Sequence, residues 1–96
     1  MALFVLIGRD GARGAELRPR VREAHLANLK PLADAGRVVH AGPLLDEGGA
    51  PCGSVVVFEA PDLASARAFA ASDPYVVEGV FESWEVRETR RVFPAD

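Results

Sequence analysis

Ala2-Leu3-Phe4-Val5-Leu6-Ile7-Gly8 opens the chain as an unbroken apolar run, and Ser54-Val55-Val56-Val57-Phe58-Glu59 repeats the pattern in mid-sequence. Apolar residues without polar alternation are what a strand buried on both faces requires, and β-branched side chains suit it. The first run has no basic residue before it and ends at Arg9-Asp10. It therefore reads as a strand and not as a secretory h-region. Both stretches predict central strands of a sheet.

The segments between them supply an order. Arg9-Asp10-Gly11-Ala12-Arg13-Gly14 reads as a turn-rich loop that does not match the G-x-G-x-x-G phosphate cradle. From Leu17 to Ala35, Leu17, Val21, Ala24, Leu29 and Leu32 fall at helical spacing, and Gly36 supplies the left-handed residue that ends a helix. Pro19 suits a first turn. Pro31 is expected to kink the helix or shift its last turn, because it removes a backbone donor. Arg37 to Leu45 reads as a second strand, interrupted at Gly42-Pro43. A proline cannot donate to a ladder, so this strand belongs at an edge. Asp46-Glu47-Gly48-Gly49-Ala50-Pro51 is a hairpin connection. Asp62 caps a second helix with Leu63, Ala66, Phe69 and Ala70 as its buried stripe. Asp73-Pro74 closes that helix and opens a short turn through Tyr75-Val76-Val77. Phe81 to Val92 is the last strand, where Trp84 and Val86 alternate with Ser83, Glu85 and Arg87.

Strand, helix, strand, strand, helix, strand is the split βαβ order, and the predicted class is α+β, a ferredoxin-like βαββαβ fold with an antiparallel sheet. That fold sets the first and third strands at the centre and the second and fourth at the edges, as the apolar patterns do. At 96 residues the chain is expected to be a single domain spanning 1–96. Both helices lie on one face of such a sheet. The other face would carry half of the side chains of the two apolar runs, a patch of several hundred Å² that is rare on monomers. Two such faces packed together would bury it, so a homodimer is expected.

Composition narrows the function classes. The chain is 49% hydrophobic and 26% charged, which is ordinary globular material. Its net charge of -3 and lack of a long basic run make nucleic acid a poor partner. An RNA-binding version of the fold would want exposed aromatics on the third strand, which offers only Phe58. Cys52 is the one cysteine, so no intrachain disulfide forms, which suits a reducing, cytoplasmic setting. No stretch approaches the roughly 20 apolar residues that span a bilayer, so no membrane partner is expected.

His25 is the most informative residue. On the helical wheel it falls among Val21, Leu29 and Leu32, inside the apolar arc, where an imidazole must find a hydrogen-bond partner. The plainer account is a core histidine satisfied by a backbone carbonyl. The sharper one is a general acid or base, which needs an orienting carboxylate. Asp73 is the candidate for that carboxylate, although capping the turn at Pro74 would alone account for it. His40 and His25 without further ligands are weak grounds for a metal site, and none is expected. Cys52 has no neighbour that would lower its pKa and reads as structural. Arg13, Arg18, Arg20 and Arg22 cluster near the start of the first helix. They read first as a solvated face paired with Glu16 and Glu23. The functional alternative is an anion-attracting rim, for which Arg22, one turn before His25, is the best candidate.

Arg22-Glu23-Ala24-His25-Leu26, Ala41-Gly42-Pro43-Leu44, Gly53-Ser54, and Ser72-Asp73-Pro74-Tyr75 with Gly79-Val80-Phe81 beyond together make a pattern. In order and spacing it resembles the YciI-like (YCII-related) family over nearly the whole chain. The resemblance implies a ferredoxin-like fold dimerised as an α/β barrel. It also implies an active site built from the helix histidine, here His25, and the aspartate of Asp-Pro-Tyr, here Asp73. One related enzyme type removes chloride from a chlorinated hydroxyhydroquinone, and related dimeric barrels include cofactor-free monooxygenases and muconolactone isomerases. With the family in view, the functional reading of His25 is preferred.

Two functions are carried forward. The first is a cofactor-independent lyase or isomerase in which His25 moves a proton, Asp73 orients it, and Arg22, Ser54 or backbone N–H groups beside Gly42 hold a small aromatic or anionic substrate. The second is a dimeric ligand-binding or accessory module without chemistry, in which His25 and Asp73 are a structural pair. An imidazole facing a ligand-sized cavity favours the first, and one sealed by packing favours the second.

Overall fold

The structure, a computed structural model, describes residues 1–95. Its elements are β1 (Ala2–Asp10), α1 (Gly14–Asp34), β2 (Val38–Leu45), β3 (Pro51–Ala60), α2 (Leu63–Ala71), α3 (Pro74–Val77) and β4 (Phe81–Thr89). The strands form one sheet in the order β2-β3-β1-β4, and every neighbouring pair is antiparallel. The two strands that carry the long apolar runs stand at the centre, as predicted, where both faces of a strand are covered.

Register decides which side chains meet the helices. β1 pairs Phe4 with Phe58 and Leu6 with both Val56 and Val86. These side chains join Leu29 of α1 and Ala66 and Ala70 of α2 in the main core. Full burial of each large apolar side chain favours folding by roughly 1.5–3 kcal/mol. A second, smaller core of Val21, Tyr75, Val80 and Phe81 lies under the opening half of α1. Val21, His25 and Leu29 recur every fourth residue as the buried stripe of α1, so the imidazole sits at the seam between the two cores. On the helix-free face Leu3, Val5, Ile7, Val55 and Val57 are half-buried.

Several expectations need correction. α1 begins at Gly14, ahead of Leu17, so Pro19 lies beyond the first turn, and the helix continues through it and through Pro31 to Asp34. The carbonyls these rings leave unpaired belong to Ala15 and Ala27, both exposed, where water can satisfy them. Ala24 is exposed, and His25 holds the buried position beside it. Gly36 does cap the helix: at φ +73° its N–H donates to Ala33 O at 3.0 Å while Arg37 N–H donates to Leu32 O at 2.9 Å. β2 is not broken at Gly42-Pro43, which pair with Val55 and Ser54. Its register shifts fall at Val38/His40 and Leu44/Leu45 instead. Pro43 is tolerated because the outer side of an edge strand needs no donor. β1 runs on through Asp10, and β4 ends at Thr89, short of Val92. Cys52 is exposed and takes no part in the core.

Candidate functional site

Asp73 occupies the junction of α2 and α3 in an extended conformation, with Pro74 opening the short helix. Its Oδ1 accepts the Tyr75 N–H at 2.8 Å, the usual work of an N-cap. The same carboxylate meets His25 Nδ1, at 2.8 Å from Oδ1 and 3.0 Å from Oδ2. Asp73 is fully buried and His25 is 8% exposed. A carboxylate can only accept, so Nδ1 carries the donated proton and the neutral ring keeps its lone pair at Nε2. One side chain thus caps a helix and fixes an imidazole tautomer.

The plane of the imidazole is fixed as well. The Tyr75 ring stacks on it with centroids 3.9 Å apart and planes 3° from parallel. Phe81 holds Tyr75 edge-on at 5.8 Å. Burial pushes the Tyr75 phenol above its ordinary pKa, against the opposing pull of Arg18 and Arg22.

Arg18 corrects the reading of the arginine cluster as a solvated face. It points inward, and its Nε and Nη2 bond the two Asp10 oxygens at 2.6 and 2.8 Å. Nη2 also reaches Gly53 O at 2.6 Å and Ser54 Oγ at 3.0 Å. The hydrogen bond to Asp10 raises the guanidinium pKa further above its already high value. Gly14 makes the arrangement possible, since a Cβ there would stand 2.6 Å from Asp10 Oδ2. Arg18 also lies over Tyr75, 5.0 Å from the ring centroid. Glu16 pairs with Arg13 and Arg20, both exposed. Arg22 is exposed at the rim.

These groups surround a cavity of about 520 Å³ between α1, β2, the start of β3 and Tyr75. His25, Arg22, Gly42 and Ser54 all line it, while Asp73 stands behind His25, away from the lining. Ala50 and Pro51, at the end of the hairpin, complete the lining on the β3 side. His40 and Cys52 are exposed and do not line it. Among the described residues no three His, Cys, Asp or Glu side chains gather in a set that could hold a metal ion. Sequence reading did not assign Asp10 or Tyr75 to the site, and it took Arg18 only as one of four arginines of an alternative anion-attracting rim, with Arg22 preferred. For Arg18 a signal existed: it lies two helical turns before His25, on the same face. Asp10 carried none, because its partner is set only when α1 folds back over the end of β1.

A family model described as the YCII-related domain matches residues 2–90. The chain is 42% identical to protein YciI of Escherichia coli O6:H1 over 97 residues, which cover 95% of this chain and 99% of that one. It is 36% identical to an uncharacterized protein of Haemophilus influenzae over 96 residues, 94% and 98% of the two chains. Among solved structures it matches the 5-chloro-2-hydroxyhydroquinone dehydrochlorinase of Burkholderia phenoliruptrix AC1100 in complex with 2,5-dihydroxybenzoquinone. That TM-score is 0.82 at 27% identity, over 92% of this chain and 93% of the other. An antibiotic biosynthesis monooxygenase matches with a TM-score of 0.57 at 14% identity, over 96% and 99% of the two chains, which is a likeness of fold. The match over residues 2–90 and the identity to YciI over nearly the full length of both chains establish that the chain belongs to the YCII-related family.

Proposed function

We propose that the chain is a cofactor-independent small-molecule enzyme of lyase or isomerase type, in which His25 takes up and returns a proton and Asp73 orients it. The observation that carries this reading is the bond from His25 Nδ1 to a fully buried carboxylate while the imidazole lines an open cavity of ligand size. With Nδ1–H committed, Nε2 is the ring atom able to accept a proton from a substrate, and the imidazolium so formed faces a negative charge in a medium that screens it little. A C–H or O–H bond of the substrate breaks, N–H forms at Nε2, and the electron pair moves into the substrate's conjugated system. Return of the proton at another carbon is isomerisation. Loss of a leaving group anion is elimination. Arg22, Gly42 and Ser54 would hold a small aromatic or anionic substrate.

The working unit is a homodimer. Leu3, Val5, Ile7, Val55 and Val57 form the centre of the helix-free sheet face, with Arg9, Glu59, Glu85 and Arg87 around them. An apolar centre within a charged rim has the composition of an interface. The free, exposed Cys52 suits a reducing, cytoplasmic compartment.

The solved relative in complex with 2,5-dihydroxybenzoquinone makes hydroxylated quinones and hydroquinones the first compounds to screen. His25→Ala is expected to abolish turnover of any compound the screen identifies while leaving the dimer intact. Unchanged turnover in that variant rules out proton transfer by His25, and ligand binding without turnover by the native protein leaves a binding module.

A further inference from the structure

Arg18 is enclosed by the fold but not used up. Its side chain is 12% exposed, and Nε and Nη2 are committed to Asp10, Gly53 O and Ser54 Oγ. Nη1 carries two further N–H groups, and no hydrogen bond of good geometry holds them among the described residues, although the Tyr75 hydroxyl lies close enough to the guanidinium to interact with it. Nη1 is not sealed either, because the only buried side-chain polar atom without a partner there is Asn28 Nδ2. Arg18 lines the cavity, and with Nε and Nη2 committed, Nη1 is the nitrogen left to meet a ligand there.

Two neutral donors stand beside it. Ser54 is buried, and its Oγ already accepts from Arg18, so its hydroxyl proton is free to be donated. Tyr75 is 3% exposed, and its burial keeps the phenol in the O–H form. The cavity lining contains two arginines and no Asp or Glu. The remaining lining is flat or apolar: the Tyr75–His25 stack with Pro19, Pro43 and Pro51. Apart from His25 Nε2, the polar side chains of this wall offer donors and positive charge, which in a slot lined by aromatic and proline rings suits a planar anion held through its oxygen.

We infer, resting on the proton-transfer reading above, that Arg18 Nη1, Tyr75 O–H and Ser54 O–H form the seat of a ligand oxygen bearing negative charge, the phenolate or enolate oxygen of a planar conjugated ligand. When Nε2 of His25 removes a proton, the pair from the broken bond delocalises onto that oxygen, and the three donors receive the charge where it develops. Arg18 is thereby the anion receptor of the site, and Arg22 belongs to its rim.

The test compares 4-nitrophenolate with nitrobenzene, which has the same ring and no ionisable oxygen, by equilibrium titration of the native protein, Tyr75→Phe and Ser54→Ala. Tyr75→Phe keeps a ring stacked on His25, and Ser54→Ala offers a second probe if the first variant folds poorly. The native protein is expected to bind the phenolate at least ~10-fold more tightly. Each variant is expected to lose about 10- to 100-fold for the phenolate, the range for a hydrogen bond to a charged group, with nitrobenzene unchanged. Equal affinity of the native protein for both probes, including no affinity for either, overturns the inference, as does an equal loss for both probes in the variants. The two readings fail separately. Discrimination of the phenolate without turnover of any enolisable compound sinks proton transfer and leaves the seat. Turnover that survives both substitutions undiminished sinks the seat alone.

Discussion

Replacing His25 by alanine and Asp73 by asparagine, singly and together, measures what the buried pair contributes. Asparagine has the shape of aspartate and caps as well, so the bond from Tyr75 N–H, at 2.8 Å, survives. What goes is the charge on a fully buried group contacted by Nδ1 at 2.8 and 3.0 Å. A hydrogen bond to a charged partner contributes roughly 1.5–3 kcal/mol, and a buried acceptor left unmatched costs about as much. His25→Ala also removes the stack on Tyr75, worth ~0.5–1.5 kcal/mol. That loss occurs in the single and the double variant alike, so it cancels in the cycle. The expected coupling is ~2 kcal/mol, and each kcal/mol should move the midpoint by about 4–8 °C in a domain of this size. Urea unfolding followed by the fluorescence of Trp84, the one tryptophan, supplies the four free energies. Protein concentration must be fixed, because the proposed association would add a mass-action contribution. A coupling below ~0.5 kcal/mol would mean that the carboxylate does no more for the imidazole than a neutral amide does. The orienting role of Asp73 would then be lost.

Three further outcomes can be measured without a substrate. On the proposed dimer, the native chain should sediment as a dimer and Val57→Asp, which sets a charge in the middle of the helix-free face, as a monomer; a variant that stays dimeric contradicts the interface. Tyr75 is the one tyrosine, and because burial raises its phenol, an alkaline absorbance titration should ionise it above the ordinary value of about 10. The raised folded value means that stability is whole below that ordinary value and falls as pH climbs through the folded one, a slope that Tyr75→Phe should remove. A phenol that ionises at the ordinary pH would show that it is not buried as described. Finally, Arg18→Met strands the Asp10 carboxylate, 8% exposed, and should cost about 3–5 kcal/mol, whereas Arg22→Met at the exposed rim should change stability by no more than ~0.5 kcal/mol. Equal effects in denaturant would contradict the division between receptor and rim.

The sheet could be read from the chain because its determinants are local. Two apolar runs demand two buried faces, and the proline and the alternating charges send β2 and β4 to the edges. The helix boundaries were less legible, since Gly14 begins α1 to make room for the Asp10 carboxylate, a contact that a helical wheel does not contain. His25 and Asp73 could be singled out, the one as a polar interruption of an apolar stripe and the other as a cap. Their distance could not, for it is set when α3 packs on α1. Tyr75 stood next to the recognised Asp73-Pro74 yet gave no sign of its stack, and Arg18 looked like any of four arginines until its partner at the end of β1 was in place.

Stability alone does not account for the polar groups at the seam of the two cores. His25 interrupts a stripe that continues as Val21 and Leu29, and it stacks on Tyr75 at a cavity wall that an aliphatic side chain could also cover. Buried charged or polar pairs are often no better for stability than apolar residues of similar volume, and a chain of this size has little core to spare. Asp73 as a cap would be served equally well by a serine or asparagine at the surface of α3, with no need for complete burial. The features that a merely stable fold would not require are the enclosed carboxylate, the imidazole plane it helps to fix and the inward-pointing guanidinium; His25 and Arg18 line one cavity, and Asp73 backs His25 from behind. The departures from the pattern that best stabilises the fold therefore coincide with the place where a ligand can enter, which is where function is expected to be set against stability.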